Sequence, residues 1–129
     1  MTCSEVRERL AVEPASIRHA RTLVGRWSRE QGASPDQAMN IQLAISELVA
    51  NVVRHAYPTG GGDDFVIEAR RENDELVFRV RDFGVGSARP SPTPGLGVGL
   101  TVVARLAGTA SVVQADPGTL VTVRFPFTR

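Results

Sequence analysis

AISELVANVVRHAY, residues 44–57, is the stretch on which the fold turns. It belongs to a segment, Asp36 to Ala56, that contains neither glycine nor proline. Ser34-Pro35 opens the segment as an N-cap and first-turn pair, and Pro58 closes it, so the spacing predicts a long helix. At about 100° per residue, Ile41, Ile45, Leu48 and Val52 fall in one narrow sector that must face a core. Glu47 and Asn51 project from one flank of that sector, with Leu43 and Ala44 on either side, and His55 lies one turn further on. A carboxylate and a carboxamide one turn apart beside an apolar seam are either a solvated helix face or a pair of oxygen ligands held next to the interior.

The flanking segments supply a sheet for this helix to cover. Val6, Glu8, Leu10 and Val12 share one side of a candidate edge strand whose alternation is imperfect because Glu8 faces inward. Pro14 then suits a first helical turn, and Ile17, Ala20, Leu23, Val24 and Trp27 recur at helical steps until Gly32 stops them. Beyond the loop Tyr57–Asp64, the runs Phe65–Arg71 and Leu76–Arg81 alternate around a turn at Asn73-Asp74 and predict a hairpin. Phe83–Gly95 is rich in glycine and proline and reads as a mobile flap. Leu96–Ala107 resumes helical spacing, and Ala110–Ala115 with Leu120–Phe127 form a second hairpin around Asp116-Pro117-Gly118-Thr119. The expectation is an α+β fold of three helices and about five strands, the helices on one face of a largely antiparallel sheet.

At 129 residues the chain is expected to form one domain, residues 1–129, with a single core. The formal charge is +1, from 15 basic and 14 acidic residues, so no global field recommends nucleic acid or an anionic membrane as a partner. Every one of those basic residues is arginine. MTCSEVRERLAVEP lacks the apolar centre of a secretory signal, and the longest apolar stretch, Gly95–Ala104, is about half of what a membrane-crossing helix needs. Cys3 is the one cysteine, which excludes an internal disulfide and suits a reducing cytoplasm.

Two glycine clusters follow the second helix: Asp82-Phe83-Gly84-Val85-Gly86 and Gly95-Leu96-Gly97-Val98-Gly99. Asp82 ends a strand, so its carboxylate can accept a hydrogen bond from an exocyclic amine while the glycines admit a ring to the backbone; an aspartate before glycines is also an ordinary turn. Glycines at a helix start leave backbone N–H groups for phosphate, or simply allow close packing. On the helix, Asn51 can ligate magnesium through its amide oxygen without adding charge, and Glu47 can take a proton from an attacking hydroxyl. Taken together, these features read as a nucleotide pocket.

ELVANVVRHAY, DFGVG and GLGVGL resemble, in order and spacing, the N-box and the two glycine boxes of the GHKL ATPase superfamily, and within it the small anti-sigma-factor serine/threonine kinases. The resemblance spans Asp36–Phe127. It implies the two-layer ATP-binding α/β sandwich of that superfamily, the Bergerat type. It also implies Glu47 as catalytic base, Asn51 as magnesium ligand and Asp82 as the reader of the adenine amine. Gly84, Gly86, Gly95, Gly97 and Gly99 would shape the pocket and lid, and Thr119 would support Asp82. ATP and Mg2+ are the implied cofactors. The implied partners are a sigma factor, a STAS-domain antagonist phosphorylated on serine, and a second copy of the chain in a homodimer.

The sequence departs from that pattern in its lid. Ten residues separate Gly86 from Gly97, with Arg89 as the one cation between them and Gly95 where a basic residue is common. Because phosphoryl transfer depends on neutralising developing charge, such a lid predicts nucleotide binding with slowed transfer. A nucleotide-dependent binding switch without catalysis is therefore the alternative. A catalytic domain cut from a receptor histidine kinase is disfavoured, since His19 and His55 lie in the wrong contexts for a phosphoacceptor.

Overall fold

Alternation with period two decides which side of the sheet the helices cover. Phe65, Ile67 and Ala69 are buried on one face of β2 (Asp64–Glu72), and Leu76, Phe78 and Val80 continue that face on β3 (Glu75–Asp82). The two strands meet in register, Ile67 opposite Val80 and Ala69 opposite Phe78, through the predicted turn, where Asn73 adopts a left-handed φ of 54°. The computed structural model describes residues 4–56, 64–84, 106, 108–115 and 118–127, the side chains of residues 55 and 56 excepted.

The sheet runs β1-β2-β3-β5-β4 with every neighbouring pair antiparallel, where β1 is Glu5–Ala11, β4 Thr109–Gln114 and β5 Thr119–Pro126. β1 is the expected edge strand. Its inward glutamate is explained by a partner: Glu8 Oε1 lies 2.7 Å from His19 Nε2 on α1 (Ala15–Glu30). The second hairpin is inserted so that β5, not β4, lies beside β3. This places the start of β5 against the end of β3, Thr119 opposite Asp82.

α1 buries Ala20, Val24 and Trp27 as expected, while Ile17 and Leu23 are only partly covered. Trp27, Phe78 and Phe125 stack edge to face, with centroids 5.6 and 5.8 Å apart, and tie α1 to the middle of the sheet. α2 (Pro35–Asn51) begins as predicted, the Ser34 side chain accepting from the Gln37 N–H at 3.1 Å. Ile41, Ile45, Leu48 and Val52 all reach the core, joined by Ala44 and Val49.

The helix departs from expectation at its far end. Regular α-helix stops at Asn51, and Val52–Ala56 form one π-helical turn. The adjacent β-branched residues Val52 and Val53 are poor α-formers, and widening the turn keeps Val52 in the core directly after Asn51. Two α-helices and this turn are seen among the described residues. Of the expected third helix, Leu96–Ala107, only Leu106 is described, in helical conformation; the flap at 85–95 lies outside the described residues.

Candidate functional site

α2 delivers its two candidate residues to different environments. Asn51 is 5 % exposed, set on the last α-helical turn between core residues Leu48 and Val52. Glu47, one turn earlier, keeps 37 % of its side chain exposed, so it stands at the rim. Arg54 joins them: its Nη2 donates to Asn51 Oδ1 at 2.9 Å and lies 3.6 Å from Glu47 Oε1. A guanidinium has only donors, so the amide atom facing it must be the oxygen. The Asn51 amide nitrogen is consequently turned inward, buried and without a hydrogen-bond partner. A buried unpaired amide is costly, as an unpaired polar atom also is at Ser28 Oγ and Arg79 Nε, and at Asn51 it falls on a residue that the sequence already offers as a candidate ligand.

The sheet delivers the second group. Asp82 follows Leu76, Phe78 and Val80 on the helix-covered face and is buried at the end of β3. The Gly84 N–H donates to Asp82 Oδ1 at 3.1 Å, so the turn holds its own aspartate. Buried Thr119 sits opposite on β5, on the same face. Phe83 points the other way, its ring within 5.6 Å of the Arg9 guanidinium and 4.7 Å of that of Arg81. Gly118 has φ of 89°, and a Cβ there would run into the Asp82 carbonyl, so only glycine lets β5 begin this close to the site.

The structure thus joins Glu47 to Asn51 through Arg54, and Asp82 to Gly84 and Thr119 through the β3 turn and the β3–β5 register. Gly86, Gly95, Gly97, Gly99 and Arg89 lie outside the described residues, as does the His55 side chain. Two contributors escaped the sequence reading. Arg54 was legible in principle, since it follows Asn51 by three residues and Glu47 by seven, both same-side spacings on a helix. Gly118 was legible only as a hairpin residue, because its closeness to Asp82 comes from strand order.

The donor set suits a hard cation: an amide oxygen and a carboxylate are the ligand types magnesium takes. Among the described residues no cluster of three or more His, Cys, Asp or Glu side chains is placed to hold a metal. A cation at Asn51 would need most of its ligands from elsewhere, as a nucleotide's phosphates and water provide. The residues present therefore fit magnesium carried in with a nucleotide.

The antiparallel sheet covered on one face by helices agrees in fold with what the comparisons find. The sequence pattern of the histidine kinase-like ATPase domain matches residues 10–125, and the chain belongs to that family. The fold is similar to the RsbU and RsbW domains of Rv1364c from Mycobacterium tuberculosis, with a TM-score of 0.78 at 24% identity over 98% of this chain. This chain spans 33% of that longer one. It is also similar to a SiaB–SiaC complex from Pseudomonas aeruginosa, at TM-score 0.65 and 17% identity over 93% of this chain and 87% of the other. The histidine kinase domain of a blue-light activated kinase from Erythrobacter litoralis matches at TM-score 0.55 and 19% identity, over 88% of this chain and 60% of that one. Among the described residues no helix is long and apolar enough to cross a membrane.

Proposed function

We propose that this chain is an ATP-binding serine/threonine protein kinase that phosphorylates a STAS-domain antagonist and, in its other state, sequesters a sigma factor. The observation that carries the reading is Asn51, a buried carboxamide with its oxygen turned toward the rim where Glu47 stands and its nitrogen left unpaired. In this reading Asp82 accepts the adenine amine, with Thr119 beside it, and Gly84, Gly86, Gly95, Gly97 and Gly99 shape the pocket around the nucleotide. Asn51 would hold Mg2+ through its amide oxygen, and the ion would supply neutralisation of phosphate charge. Glu47 takes the proton from a serine hydroxyl that a docked protein brings to the rim, so no deep substrate pocket is needed.

Family membership supports nucleotide binding, and the similarity to an RsbW domain and to a SiaB–SiaC complex supports a protein partner. The chain in this reading is a single domain that acts in the cytoplasm as a homodimer, without nucleic acid or membrane. Incubation with ATP radiolabelled on its terminal phosphate and a panel of STAS-domain proteins tests it. Transfer to a serine of one of them is the expected result. Nucleotide binding without transfer to any of them favours the second reading, a nucleotide-dependent switch, to which the short interval between Gly86 and Gly97 already points.

A further inference from the structure

One nitrogen of Arg54 serves both Glu47 and Asn51 of α2. Nη2 is 2.9 Å from Asn51 Oδ1 and 3.6 Å from Glu47 Oε1, so an amide oxygen and a carboxylate oxygen from successive helical turns converge on a single positive group. The Asn51 oxygen that could take a cation is occupied here by the chain's own arginine, which the Glu47 carboxylate helps to hold there. We propose that Arg54 is a stand-in cation, holding the place of magnesium in the nucleotide-free protein and having to leave before the metal–nucleotide complex can seat. The inference rests on the nucleotide-binding reading above and adds to it a residue that sets the magnesium requirement.

Three features make the exchange feasible. Arg54 keeps 53% of its side chain exposed, so it has solvent to swing into. Its contact with Asn51 takes up the same oxygen that a metal would use, and a divalent ion about 2 Å from that oxygen would lie against the guanidinium, like charge against like. The arginine is tethered by one turn of π-helix, Val52–Ala56, a wider and less common backbone form that recurs at functional sites. Arg54 acts through Asn51 and Glu47, which makes it a positioning residue and not a catalytic one.

The test is the magnesium dependence of nucleotide affinity, measured calorimetrically with a non-hydrolysable ATP analogue for wild type, Arg54→Gln and Arg54→Lys. A half-exposed ion pair reinforced by one charge-assisted hydrogen bond competes modestly, so Arg54→Gln should lower the magnesium concentration at half-maximal affinity about threefold to tenfold. Arg54→Lys, which keeps the charge but loses the planar fork, should fall between the two. Affinity for the analogue without metal should change by less than about twofold, because the competition is with the ion. An unchanged or raised magnesium midpoint in Arg54→Gln overturns the proposal, as does collapse of metal-free binding, which would make Arg54 a direct nucleotide contact. Thermal unfolding shows whether each variant is folded, and Arg54→Lys carries the test if Arg54→Gln is not. If wild type binds no analogue at any magnesium concentration, the nucleotide reading itself fails; binding with an unmoved midpoint removes only the role of Arg54.

Discussion

Asp82 and Thr119 face each other across β3 and β5, both buried and both on the side of the sheet that the helices cover. The Gly84 N–H donates to the Asp82 carboxylate at 3.1 Å, and the strand register sets Thr119 beside it. A backbone donor therefore preorganises the aspartate, so that the proposed adenine contact would leave little to order.

Asp82→Asn should weaken ATP binding by about tenfold to a hundredfold, the range for losing a charged acceptor, with the far-ultraviolet circular dichroism unchanged. Calorimetric titration checks it. An affinity within a factor of about two of wild type would remove Asp82 from the adenine site.

Glu47→Gln should leave nucleotide affinity near wild type and lower phosphoryl transfer by about a hundredfold or more, as expected for loss of a general base. Single-turnover transfer to an identified STAS partner measures this directly. Equal losses in binding and transfer would mean that Glu47 holds the nucleotide instead.

Gly118→Ala should cost about 1–3 kcal/mol, because alanine is strained at φ of 89° and its Cβ runs into the Asp82 carbonyl. The shift in the urea midpoint at constant m-value reads the cost. Since the displaced atoms belong to Asp82 and Phe83, nucleotide affinity should fall as well, which a loss of global stability alone does not predict.

Phe78→Ala should destabilise the fold by about 3–5 kcal/mol, since the ring is fully buried between Trp27 and Phe125. Chemical denaturation checks this, and a cost under about 1 kcal/mol would contradict the packing described.

Much of the architecture is legible in the sequence. Ser34 and Pro35 announced the start of α2, and four apolar residues at helical steps named the face it buries. Alternation in Phe65–Arg71 and Leu76–Arg81 identified the central hairpin down to its turn. The weak points were places where a local pattern competes with a distant partner. Glu8 looked like a flaw in an edge strand until His19 was found against it, and the end of α2 read as unbroken helix although the backbone widens after Asn51.

The sequence by itself determined the helices, the strands and the candidate residues Glu47, Asn51 and Asp82, because capping, periodicity and turn chemistry act within a few residues of chain. Tertiary structure alone decided that β5 lies between β3 and β4, which brings Gly118 and Thr119 to Asp82, and that Arg54 turns back onto Asn51 and Glu47. Strand order and side-chain direction are settled by burial and charge pairing summed over the whole molecule, and no window of neighbouring residues contains that sum.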